Sequence, residues 1–436
     1  MSALDFDFEW LDPGGARGEE LRATWARLEI KVNGQAITRV YDRSSRSVRD
    51  SVYAPLYPLA EWVVFHWWQL IYEVESPGRL DESEYSSRHD LRFAREGYAY
   101  PSIIIEPAVK EVKIAWSPES LDYSGVDFLE QGHRFVPTED LRSSLSNFIN
   151  SVIGRLEQEG IEDSPLQESW RAILEADDDE AAFCMASGSL GWDPYSISDS
   201  QADDLIQAIQ RLPDSIIQEF LAAATPSQLS TQSKTVEQDL IRLEDSESEL
   251  RSLQQLNASY KQLSPHRSPW KQGYELANWA RENLSDPQLP IRSDNDLSRV
   301  LDMETESGSS SILVGDDHET PIDALVKETA NGSPGMVVYH SRPEAYRFAL
   351  CRGIFEYITN PLEPGIVTRS RSFQQKRNRA FAAEFILPSK VLSRKIKGNT
   401  IGTEDMDELA HEFGVDKSIV MHQVINHHLA RVVHNF

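Results

Sequence analysis

The residues whose types and spacing suggest chemistry lie mostly in the second half of the 436-residue chain. Arg352 and Glu356 stand four apart in Arg347-Phe-Ala-Leu-Cys-Arg-Gly-Ile-Phe-Glu-Tyr-Ile358, where Phe348, Cys351, Phe355 and Ile358 recur as they do on one face of a helix. A guanidinium and a carboxylate at that spacing can meet on the helix surface, so two outcomes are open: an Arg352–Glu356 ion pair, or two separately solvated helix residues. Histidines 422, 427, 428 and 434 invite a metal reading, but Met421 to Leu429 contains no carboxylate, and surface histidines are expected. His66, set among aromatics, reads as a satisfied core histidine, and His89-Asp90 falls in a loop-like stretch with no enzyme motif. Two cysteines, Cys184 and Cys351, are too few for a disulfide framework or a four-cysteine zinc site and read as buried thiols. The glycines of Gly188-Ser-Leu-Gly-Trp-Asp-Pro194 lack the preceding strand and following Lys-Ser/Thr of a phosphate loop.

The elements that must position these residues follow from periodicity and turn signals. Alternation on both sides of Asn33-Gly34 predicts a hairpin over 24–41. Leu59 to Leu70 predicts one helix, apolar on nearly all sides and central to an N-terminal domain. Strands are expected at 103–105 and 109–116, a helix at 139–159, and further helices through 166–224 and 236–256. Ser264-Pro-His-Arg-Ser-Pro269 reads as a boundary, after which a helix opens at Trp270 and strands are expected at 312–314 and 336–339. Near the C-terminus, Gly414 ends one helix and Asp416 caps a second, a helix-turn-helix-like arrangement.

The Arg347 helix and the later Arg379-Ala-Phe-Ala-Ala-Glu-Phe-Ile-Leu-Pro388 together resemble the active-site helices of the ImmA/IrrE family of zinc metallopeptidases. Its first helix reads roughly R-F-(T/A)-L-A-H-E-x-x-H, and the resemblance covers about residues 265–430. Two histidines four apart place both imidazoles on one face, and the glutamate after the first activates a zinc-bound water. Aligned on Arg347-Phe348 and Leu350, the resemblance puts Arg352 and Glu356 at the histidine positions and Gly353 at the glutamate. The third, carboxylate ligand would precede the F-A-A-E signature, where the chain reads Gln374-Gln375-Lys376-Arg377. Arginine cannot release its proton to bind zinc. The resemblance therefore implies a vestigial site at Arg352, Gly353, Glu356, Gln375 and Arg377, with no catalytic residue, metal or cofactor. Members of the family cleave repressors in bacterial stress and mobile-element circuits and are often linked to phage defence, so a regulatory or defence complex with a protein partner is implied.

The net charge of −27 is uneven: residues 1–340 hold 29 Lys/Arg against 60 Asp/Glu, whereas 341–436 hold 14 against 10. The acidic part should repel nucleic acid, while the C-terminal part need not. Candidate nucleic-acid or partner contacts are Arg369, Arg371, Lys376, Arg379, Lys395, Lys397, Lys417 and Gln423. No apolar run is long enough to span a bilayer, and a cytoplasmic protein is expected. These observations predict a multidomain α+β chain: an α+β module at 1–120, an acidic helical region at 121–264, a degenerate zincin-like domain at 265–400 and the helix-turn-helix-like segment at 401–436. The leading expectation is a non-catalytic scaffold or regulator binding a protein partner. The alternatives are a DNA-binding regulator acting through the basic region and an active metallopeptidase whose ligands lie elsewhere, among His340, Glu344, Glu356 and Glu384.

Overall fold

A computed structural model describes residues 4–13, 16–75, 82–246, 250–260, 268–284, 289–301, 312–315 and 320–433. The chain is mixed α+β and divides into two compact units, Met1–Leu205 and Ile206–Phe436. No helix among the described residues is long and apolar enough to cross a membrane. The division at Leu205 differs from the four segments expected from sequence. The later part of the acidic helical region belongs to the second unit, because Leu250, Leu253 and Leu256 complete that unit's core. Residues 264–267 of the expected boundary lie outside the described residues.

In the first unit, β1 (Leu4–Trp10) runs antiparallel to β2 (Trp25–Val32), which continues through Asn33-Gly34 into β3 (Gln35–Ala36) and also pairs with β4 (Val52–Pro55). Asn33 and Gly34 both have positive φ, 49° and 81°, as a two-residue hairpin turn requires. The expected single helix after Pro58 is two, α1 (Tyr57–Phe65) and α2 (Trp67–Tyr72). The chain breaks at His66, whose φ of −108° and ψ of 13° leave the helical region, while its Nδ1 lies 2.8 Å from the Trp62 carbonyl. Strands β5 (Ile103–Pro107), β6 (Glu111–Trp116) and β7 (Gly132–Pro137) form an antiparallel sheet with β6 in the middle. Helix α3 (Thr138–Gln158) buries Leu141, Leu145, Phe148, Val152 and Leu156, the stripe its periodicity predicts. Helix α4 (Pro165–Glu175) starts in a capping box between Ser164 and Gln167.

The second unit includes α5 (Asp214–Leu221), α6 (Leu229–Glu244) and α7 (Arg251–Ser259). The helix expected over 236–256 is thus interrupted, with Asp245 closing α6 and Leu250 preceding α7. Helix α8 (Pro269–Glu282) follows. Among the described residues a sheet then forms from β8 (Ile312–Val314), β9 (Ile322–Glu328), β10 (Pro334–Val338) and β11 (Gly365–Thr368), in the order β8-β10-β9-β11. Strand β8 is parallel to β10 and the other pairs are antiparallel. β9 and β11 were not expected from sequence. β9 is buried on both faces, so its residues do not alternate, and β11 is four residues long. The helix α9 (Pro343–Thr359) joins β10 to β11, and α10 (Phe373–Ile386) packs on both α8 and α9. The tail carries α11 (Thr403–Phe413) and α12 (Lys417–Asn426). Gly414 sits in the left-handed region at φ 59° between them, and the Asp416 side chain caps α12, as expected.

Candidate functional site

Helix α9 starts with Pro343 in its first turn, and every residue from Ala349 to Ile358 is buried. One side lies on β9 and β10, and another meets α10. This enclosure makes the polar residues of α9 costly unless each is satisfied. Arg347 donates from Nη1 to Asp294, 3.1 Å away, and from Nη2 to the Gly414 carbonyl, 2.6 Å away, so it ties α9 to the end of α11. Arg352, 2 % exposed, donates from Nε to Asn378 Oδ1 (2.8 Å), from Nη1 to Asp323 Oδ2 (2.5 Å), and from Nη2 to Gln375 Oε1 (2.7 Å) and the Thr368 carbonyl (2.5 Å). All three guanidinium nitrogens are engaged by groups from β9, β11 and α10.

Asp323 occupies a register shift in the β9–β11 ladder between Ile322 and Ala324. Such an irregularity re-aims a side chain, and here an acidic residue in a central strand is buried at 6 % exposure. Its carboxylate accepts from Arg352, from Arg369 Nε (3.2 Å) and lies 2.9 Å from His340 Nε2. Burial pushes this carboxyl up, but the His340 hydrogen bond and the Arg352 and Arg369 charges together hold it well below the usual range. Glu356 has the opposite balance. It accepts from two neutral amides, Asn378 Nδ2 and Gln374 Nε2, each at 2.8 Å, and burial lifts its pKa to about 7. Glu219 of α5 accepts from the Ser372 hydroxyl at 2.7 Å and from Gln375 Nε2 at 3.2 Å, and burial raises it as well. The chain matches no family model, no curated protein and no solved structure.

The Arg352–Glu356 ion pair is corrected by this geometry. Arg352 pairs with Asp323, and Asn378 stands between Arg352 and Glu356, bonded to both. A tertiary carboxylate nearer the guanidinium outcompetes the neighbour four residues along. Gly353 faces the sheet: a Cβ there would lie 3.0 Å from Val326 Cγ2 and 3.2 Å from Met336 Sδ, so a glutamate at this position would enter the core. Gln375 is fully buried and bonded to Arg352, while Arg377 donates to Gln374 and stacks on Phe355. The structure therefore brings together four of the five residues assigned to the vestigial site, while Gly353 turns toward the sheet. Asp323, Thr368, Asn378 and Glu219 complete the network and were not expected. Their one sequence signal was an acid inside the apolar run Ile322–Val326, and a strand was not recognised there.

Zinc does not fit this site, because the guanidinium at the centre of these groups already donates from all its nitrogens and has no lone pair to offer a metal. Among the described residues no three His, Cys, Asp or Glu side chains gather as metal ligands would. His340 is held by Asp323, Glu344 is exposed, and Glu384 belongs to another network. Glu384, 1 % exposed, accepts from the Ser389 backbone and hydroxyl and from Gln423 Nε2 at 2.8 Å, with His427 3.2 Å away. Gln423 is thus a correction: it is fully buried and clamps α12 to α10, unable to reach nucleic acid or a partner. Of the other candidate contacts, Arg369, Arg371, Lys395 and Lys397 are exposed, Lys376, Arg379 and Lys417 half-buried. Arg379 donates to the Thr368 carbonyl, while Lys395 pairs with Glu412 and Lys417 with Asp407.

Proposed function

We propose that this chain is a non-catalytic, ImmA/IrrE-like scaffold or regulator that acts by binding a protein partner. The observation that carries the reading is Arg352. It stands where the resemblance puts a metal ligand, and it joins β9, β11 and α10 through four hydrogen bonds, so the polar centre holds elements together. Gln375, in the stretch where the resemblance puts the third ligand, bonds the same guanidinium. A shared centre between these two helices is what a peptidase scaffold with lost chemistry predicts. The family's role in repressor control extends the proposal to a bacterial stress, mobile-element or phage-defence complex.

Metal analysis of the purified full chain tests the reading. No stoichiometric zinc is expected, and chelator should leave the melting temperature unchanged. One zinc per chain, lost on Arg352→Ala, would overturn it, as would chelator-sensitive cleavage of a repressor. DNA binding is the second reading, favoured by exposed Arg369, Arg371, Lys395 and Lys397. Its recognition helix is weakened by the burial of Gln423 and the pairing of Lys417. A salt-dependent duplex shift by the full chain, lost on Arg369→Ala/Arg371→Ala, would support it in place of the first.

A further inference from the structure

The first unit carries a surface that owes nothing to the α9 centre. Between α3 and α4 lies an open groove of about 570 Å³, lined in part by Ile153, Glu157, Glu162, Trp170, Arg171 and Leu174. On α4 the residues Leu166, Trp170 and Leu174 follow one another at helical spacing along one stripe. The first two are buried, at 0 % and 3 %, whereas Leu174 is 63 % exposed. The stripe that docks α4 onto the core thus runs on into the groove. Its floor is preorganised: Trp170 Nε1 donates to Asn150 Oδ1 at 2.8 Å, and the indole packs edge-on against Trp67 with ring centroids 4.9 Å apart.

The charge of this surface is lopsided. Residues 151–205 contain 14 Asp/Glu against 2 Arg. Glu157 and Glu162 stand exposed on the lip of the groove, and Asp177 to Glu180 extend the same sign beyond α4. Arg171 is the cation of the lining, against the two carboxylates of Glu157 and Glu162.

We infer that this groove docks a cationic amphipathic segment of a partner protein. An apolar side chain of that segment sits on Trp170, Leu174 and Ile153, while its Lys or Arg side chains face Glu157 and Glu162. Apolar burial in the centre supplies affinity, and the charged lip supplies attraction and orientation. Nucleic acid and anionic lipid are repelled by the same charge. The proposal goes beyond the reading of the α9 centre and survives its failure.

The test is fluorescence anisotropy with the full chain and a dye-labelled amphipathic helical peptide built of Leu and Lys, at physiological salt. Binding is expected, and the same peptide with Glu in place of Lys should not bind. Leu174→Asp should weaken binding about tenfold, and Glu157→Gln/Glu162→Gln together by a similar factor. Asp178→Asn/Asp179→Asn, outside the groove's lining, should leave it unchanged. Circular dichroism should confirm that the variants are folded. Failure of the Lys peptide to bind overturns the inference, and equal weakening by the Asp178/Asp179 variant reduces it to general charge attraction. Light scattering that shows a dimer dissociated by Leu174→Asp would assign the groove to a second copy of this chain and overturn the partner proposal.

Discussion

Glu356 and Asp323 are two buried carboxylates of one network whose surroundings drive them apart. Asp323 faces a histidine and two guanidinium groups, whereas Glu356 faces two neutral amides. Glu356 has a folded pKa of about 7 against an ordinary value of 4.5, so the folded state holds its proton more tightly than the unfolded chain does. Stability should therefore fall as pH rises from about 4.5 through about 7 and level off above, a loss of about 3 kcal/mol. Glu356→Gln mimics the protonated form: its urea midpoint should exceed that of the parent at pH 8 and lack the decline between pH 5 and 7.5. Asp323 is depressed, so its contribution is present above the ordinary carboxylate range and lost as pH falls below it. Asp323→Asn strands the Arg352 charge in the core and should cost about 3–5 kcal/mol in equilibrium unfolding. Adding Arg352→Met should recover part of that loss, whereas additive losses would mean that the two residues do not act as a pair.

At the scale of elements, α8 and α10 pack closely against one another. A Cβ on Gly273 would run into the Arg377 carbonyl oxygen and lie 2.8 Å from Ala380 Cβ. Gly273→Ala should therefore separate the helices and destabilise by about 1–3 kcal/mol, despite alanine's better helix propensity. A gain in thermal stability would show that the crossing is loose. The Phe381-Ala-Ala-Glu-Phe run has a physical reason in the same place. Phe381 and Phe385 stack at 5.2 Å, Ala382 and Ala383 keep α10 slim, and Glu384 anchors both Ser389 and α12. These contacts hold the fold together. Register in β9 belongs to this scale too, since the irregularity at Asp323 aims the one acid of that strand at Arg352.

At the scale of the molecule, charge is the dominant property. The acidic residues 1–340 repel one another at low ionic strength, and screening weakens that repulsion within about 10 Å at 0.1 M salt. Raising sodium chloride from 10 to 200 mM should lift the melting temperature, and by more at pH 8 than at pH 5, where some carboxylates carry protons. A salt-independent melt would show that the acids are locally compensated. Local patterns in the chain were enough to place the Asn33-Gly34 hairpin, α3, α9, α10 and the Gly414–Asp416 turn. Each is set by turn chemistry, capping or an apolar stripe, which are properties of residues near one another in the chain. Arg352 and Glu356 were singled out by the family resemblance and by their four-residue spacing, and both lie in the buried polar centre. Their partners were not legible. Asp323, Asn378 and Thr368 lie 29, 26 and 16 residues from Arg352, and a carboxylate brought close by the sheet outcompetes one four residues away on a helix. The same limit hid the burial of Gln423 and left unread which unit the helices after residue 205 join, since an amphipathic stripe records that a face is covered and carries no record of what covers it.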